Sequence, residues 1–398
     1  MGRVCAVATR PLCLLVAINF LGAHVSESLA VVFLAIALAL VGIAADSHRR
    51  FYLRHFDSEP SFDGVSFYIY ATCIVLLGGL GGVVVFAFVL YFTGSYLLSV
   101  ISVVYFVSEK LADELLRLKL FERDFAMWGR FSISRSLLQL AGLVALAAVT
   151  GGETPTWLLV FVLAFSNLAV FVPQLPSSLR RCLRVIRLDM AVWLSVRAVR
   201  ALLSNWILWA IALLGSGVGY LDRIGALVLD KAILPLFMLI VMCFSIVQMA
   251  VDFYYVSHHR RDFLEQRISV LDAVSSRKFV VSLSAGLALA CVSSFVVLQL
   301  SHNGADLPLG YVLAIAALQV SFAVVNVPQQ ILYWKHRLVH IFRIEIAFWA
   351  LFAVSVIAGW WLSLRLAGIL ALVAACAFAR LALYIGVAVR VAPPIHNE

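Results

Sequence analysis

The chain has 398 residues, of which 64% are hydrophobic and only 13% charged, with a mean hydropathy of +1.03. So much apolar surface exceeds what soluble cores can hide, which excludes a soluble enzyme or binding module and predicts an integral membrane protein. The net charge of +9 falls in short loops between apolar runs, so it reads as a topology signal and an attraction to anionic lipid, not as a nucleic-acid footprint.

In chain order, Met1 to Ala23 has the Arg3 and Arg10 charges and apolar run of a signal peptide, but the many apolar runs that follow favour a retained first helix. Crossing the hydrocarbon takes about 20 mostly apolar residues with every backbone group bonded internally, so each long run is predicted to be a helix. Twelve are expected, centred near Leu15, Leu38, Leu76, Leu98, Leu143, Phe165, Leu208, Met242, Leu287, Ala316, Val354 and Ala374. Between Phe67 and Val107 the glycines of Gly78 to Gly82 leave two options, a turn or a pliable point inside one long helix.

Lys and Arg placement orients these spans, because basic flanks stay cytoplasmic. Segments assigned inside hold 25 of the 30 basic residues, whereas Thr150 to Trp157 and Ser301 to Pro308 hold none. Both termini are therefore expected in the cytoplasm. The densest cluster is Ser177 to Arg200, with Arg180, Arg181, Arg184, Arg187, Arg197 and Arg200 against the single acid Asp189. It is read as a cytoplasmic bridge (177–200) between an N-terminal bundle (1–176) and a C-terminal bundle (201–398) of six helices each. Phe121, Asp124, Ala126 and Trp128 recur as Phe342, Glu345, Ala347 and Trp349, and the Ala44 to Leu53 segment resembles Ala250 to Leu264. These matches point to an internal duplication.

Nucleotide-cradling, zinc-protease and nucleophile-elbow signatures are missing, and the seven cysteines are scattered without ligand spacing, so no cofactor, metal or catalytic residue is expected. The outside loops are too short for a catalytic domain. What remains are ionisable groups at or in the membrane, where charge is costly and tends to face a cavity or a partner. Arg380 lies halfway through the last apolar run, facing either a cavity or a carboxylate elsewhere. Asp222 and Arg223, followed by Asp230 and Lys231, are either the outer mouth of a cavity or loop salt bridges. Arg135 is expected to snorkel to the cytoplasmic surface. Glu27, Asp46 and Asp252 are candidates for ion coupling, or solvated helix-end acids. Asn19, Asn167, Asn205, Gln248, Gln319 and Asn326 either bond neighbouring helices or line a sugar site.

Twelve spans, cytoplasmic termini, two halves, the charged amphipathic run Ser108 to Trp128 after the fourth helix, and Leu221–Asp222–Arg223 after the seventh resemble the polysaccharide and O-antigen flippases of the MATE-like superfamily. The resemblance implies a transporter of the inner membrane that moves an undecaprenyl-diphosphate-linked oligosaccharide between leaflets by alternating access. It implies H+ or Na+ as coupling ion and polysaccharide polymerase machinery as a partner. Arg380, Arg223 and Lys231, with Asn205 and Gln248, would then hold substrate, and Asp222, Asp230, Glu27 and Asp252 would serve coupling. The alternatives are a small-molecule antiporter and, third, a membrane polymerase or acyltransferase.

Overall fold

The computed structural model describes residues 2–40, 64–121, 125–150, 154–174, 196, 199–200, 206–252, 269–301, 307–334, 337–361 and 364–391. Among these residues all regular structure is helical, as a chain that must satisfy its own backbone in lipid requires. Seven stretches are long and apolar enough to cross a membrane: Val75–Thr93, Gly129–Thr150, Lys231–Asp252, Arg277–Leu300, Leu309–Tyr333, Leu338–Gly359 and Leu366–Arg390. The described part of the chain is all helical, and its long apolar helices make it a membrane-embedded protein. It divides into two compact units, Met1–Ser216 and Gly217–Glu398.

The N-terminal unit begins with α1 (Gly2–Val16) and a π-turn (Ala17–Leu21), then α2 (Ala23–Leu38) and α3 (Gly64–Thr93). It continues with α4 (Tyr96–Phe121), α5 (Phe125–Thr150) and α6 (Thr156–Phe171). Leu29 to Ile36 of α2 are buried without a break, so this stretch has no outward face and forms part of the unit's interior. Around it α4 packs on α3 and α6, and α5 packs on α1 and α6.

The five-residue glycine-rich stretch lies inside α3 and is no turn. A Cβ on Gly81 would stand 2.5 Å from Phe106 Cζ and one on Gly82 would stand 3.3 Å from Val103 Cγ1. Those two glycines therefore let α4 approach closely. The reversal comes at Gly94, whose φ of +67 suits glycine. There the Ser95 amide donates to Thr93 Oγ1 at 3.3 Å while that hydroxyl donates to the Val89 carbonyl at 2.7 Å.

α7 (Trp206–Val218) runs from one unit into the other. The C-terminal unit then holds α8 (Leu221–Leu229), a 3-10 turn (Lys231–Ile233), α9 (Leu234–Met249), α10 (Val270–Ser275) and α11 (Arg277–Leu300). The last three helices are α12 (Leu309–Trp334), α13 (Leu338–Trp361) and α14 (Leu366–Val391). Its inner helix is α9, started by Pro235 in the first turn, where a missing N–H costs nothing. α9 packs on α11 and α12, and α14 packs on α12 and α13. Serines close both ends of α10: Ser269 Oγ accepts the Asp272 amide at 3.1 Å and Ser276 Oγ accepts the Phe279 amide of α11 at 3.2 Å.

Each of the twelve apolar-run centres lies within a helix. The basic bridge falls mostly outside the described residues, as do Asp46, Asp124 and both members of the Ala44/Ala250 match beyond Asp252.

Candidate functional site

Both units bury charge. In the C-terminal unit Glu345 on α13 is fully buried and Arg380 on α14 is 5% exposed. Arg380 Nη2 donates to Glu345 Oε1 at 2.6 Å, and Nε donates to Oε1 and Oε2 at 3.2 and 3.1 Å. Tyr384, one helical turn beyond Arg380, donates its hydroxyl to the same Oε1 at 2.6 Å and accepts from Gln329 Nε2 of α12 at 3.3 Å. The guanidinium also stands 5.3 Å from the Tyr384 ring centre and 5.9 Å from that of Phe348, within range of the rings' negative faces. Of the two placements open to Arg380, the structure shows the carboxylate partner. A fork of this kind is strong because donor and acceptor are both charged and geometrically matched, and it ties three helices at one depth.

The N-terminal unit builds a similar cluster from different residues. Glu109 of α4 receives Arg10 Nη2 of α1 at 3.2 Å and Arg135 Nη2 of α5 at 3.2 Å. Asn167 of α6 donates to Glu109 Oε1 at 3.3 Å and to Ser108 Oγ at 3.0 Å, and its own carbonyl accepts Gln139 Nε2 at 3.0 Å. The next residue, Lys110, forms a buried pair with Glu114 one turn further along α4. The expectation that Arg135 snorkels outward is corrected: it is 8% exposed, because Glu109 supplies inside the bundle the anion that a surface head group would otherwise supply.

Asp222 and Arg223 are not in a loop. They open α8, Asp222 is 2% exposed, and its Oδ1 accepts the Arg223 amide at 2.8 Å. The Arg223 guanidinium stays 4.0 Å from Oδ1 and lies 4.6 Å over the Tyr220 ring. Asp222 Oδ2 is buried with no hydrogen-bond partner among the described residues. This segment lies between the apolar spans, and burial raises the Asp222 carboxyl above the ordinary carboxylate range while Arg223 pulls the other way.

The other predicted residues are spread out. Asp230 is exposed at the end of α8 and Lys231 is half-buried in the 3-10 turn. Gln248 is half-buried near the end of α9, and Glu27 is half-buried in the first turns of α2. Asp252 accepts Asn326 Nδ2 at 2.9 Å, which ties the end of the α9 span to α12. Asn205 lies outside the described residues.

Sequence reading passed over Glu109 as part of a basic loop and treated Glu345 only as a mark of repetition. The available signal was charge matching, since a lone acid in FRIEIAFW and a lone base in ACAFARLAL, in neighbouring apolar runs, are the way membrane helices avoid two separate desolvation penalties. Among the described residues no cluster of metal-ligating side chains occurs. No known protein family, curated protein or solved structure matches this chain.

Proposed function

We propose that the chain is a transporter of MATE-like arrangement, with twelve spans in two six-helix halves and both termini in the cytoplasm. In this reading it sits in the bacterial inner membrane and passes an undecaprenyl-diphosphate-linked oligosaccharide to the outer leaflet for polysaccharide or lipopolysaccharide synthesis. The observation that supports it is the presence, in each of two compact helical units, of a buried arginine–carboxylate cluster at the junction of apolar helices. Ionisable groups kept inside apolar helices against their insertion cost mark transport pathways, and two such units are how alternating-access transporters are built. An arginine can replace water around a diphosphate by paired N–H donors, with Arg223 and Lys231 as the residues for that role beside Arg380. The polymerase machinery that consumes the flipped product is the expected partner.

One observation favours a second reading, a small-molecule antiporter of the same arrangement. Arg380 already spends its charge on Glu345, which weakens its draw on an anionic lipid. The deciding experiment follows lipid-linked oligosaccharide on the cytoplasmic leaflet in cells with the protein, without it, and with Arg223→Ala or Arg380→Ala at normal expression. Accumulation without the protein, reproduced by Arg223→Ala, is expected of the flippase. Normal levels in its absence refute that function and leave the antiporter.

A further inference from the structure

In the C-terminal unit the buried acid Asp222 has an arginine at the outer limit of ion pairing on one oxygen and no hydrogen-bond partner among the described residues on the other. Asp222 Oδ1 is used by the Arg223 amide, while Oδ2 is sealed in the protein without a donor among the described residues. The helix carrying it packs against the 3-10 turn, α9 and α14. From α9 come only uncharged side chains. From α14 and the residue before it the charged residues are Arg365, exposed beside the Leu366 that meets α8 at Gly225, Arg380, engaged by Glu345, and Arg390, also exposed. The turn contributes half-buried Lys231, with exposed Asp230 just before it. Arg223 is the charged group that acts on Asp222, and its guanidinium stops short of hydrogen-bond distance over the Tyr220 ring.

We propose that Asp222 is a proton-binding site of the C-terminal unit, taking H+ and not Na+. A hard cation needs several oxygens converging on one point, whereas Asp222 Oδ2 meets no hydrogen-bonding group among the described residues. A proton needs one oxygen, and neutralising this carboxyl removes the charge that burial penalises. Opposing this are the Arg223 charge, hydrogen bonding to the carboxyl from the Arg223 and Asp222 amides, and the N-terminal end of α8, which favours an anion in its first turn. Burial outweighs them, and the carboxyl is displaced upward. The use of this proton as the coupling ion rests on the transporter reading above; its presence does not.

The test is infrared spectroscopy of the full chain in lipid nanodiscs, following the C=O stretch of protonated carboxylic acids. The wild-type band is expected to survive titration above the ordinary carboxylate range, to fade at higher pH, and to persist when Na+ is added at constant pH. Asp222→Asn, which keeps the side-chain shape and the acceptor for the Arg223 amide, should lose the Asp222 contribution, and Arg223→Gln should shift its titration to higher pH. A spectrum unchanged by Asp222→Asn, or a band erased by Na+ at constant pH, overturns the proposal. The wild-type titration stands even if a variant folds poorly. None of these outcomes depends on whether oligosaccharide accumulates in cells, so failure of the proton site and failure of the flippase reading are distinguishable.

Discussion

Arg380 reaches Glu345 across α13 and α14 through three hydrogen bonds, and Tyr384 from the same face of α14 closes on the same carboxylate oxygen. Neither charge has anywhere else to go, since Glu345 is fully buried and Arg380 almost so. Breaking such a pair leaves one uncompensated charge inside, which costs about 3–5 kcal/mol. Arg380→Ala and Glu345→Ala are each expected to destabilise by that order in denaturant unfolding of the purified protein. The double replacement Arg380→Met with Glu345→Leu is expected to be much closer to wild type than the sum of the single changes, because no buried charge remains.

The N-terminal cluster predicts an asymmetry between its two arginines. Arg10 keeps 28% of its side chain exposed and Arg135 only 10%. A charge with access to its surroundings is partly compensated when its partner is lost, so the bridge from the more accessible arginine is worth less, about 1 kcal/mol. Arg135→Ala should therefore destabilise by about 3 kcal/mol and Arg10→Ala by about 1, with Glu109→Ala at least as severe as Arg135→Ala. Thermal unfolding of the three variants side by side checks the order, and equal effects of the two arginine changes would remove the argument from exposure.

Glycines separate by what faces them. A Cβ on Gly286 would meet Ala250 Cβ at 2.9 Å and the Val247 backbone at 3.1 Å, and one on Gly142 would meet Val162 Cγ1 at 2.6 Å. At Gly78 and Gly79 nothing lies within 4 Å. Gly286→Ala is expected to cost about 1–3 kcal/mol through overpacking against backbone that cannot yield. Gly79→Ala should be neutral or stabilising by up to about 1 kcal/mol, from the lower conformational freedom of alanine in the unfolded chain. The same unfolding measurement distinguishes them.

The upward displacement of the Asp222 carboxyl carries a stability signature. Its folded-state value lies above the ordinary value of 3.8, so the folded protein holds this proton more tightly than the unfolded one. The contribution is fully present below the ordinary value and is lost as pH rises through the folded-state value. Wild-type stability, measured by denaturant at a series of pH values, should fall over that window relative to Asp222→Asn. Parallel curves for the two proteins would contradict the displacement.

Much of this was legible from residue patterns. Each of the twelve apolar-run positions is helical, and seven of the helices are long and apolar enough to span, because without water to bond the backbone helix is the available structure. Arg380 stood out for the same reason, as a charge in mid-run. Its partner did not, because Glu345 sits close enough to the basic Arg343 and Arg337 to read as part of a loop, and pairing depends on which helices become neighbours. Asp222 looked like a loop acid, since nine residues from Leu221 to Leu229 are too few to announce a helix by periodicity. The GGLGG stretch was ambiguous because glycine serves both turns and close packing, and only the position of Phe106 decides for packing at Gly81.

Ser276 ends α10 and opens α11 with no spare residue between them. Most of the apolar stretch of α11 is not buried inside the protein, and one shared cap residue joins it to α10. α10 lies against α12 and α14, the two helices that carry Gln329, Arg380 and Tyr384. Ser276 thus holds the outer α11 in fixed register with the helices of the buried charge network.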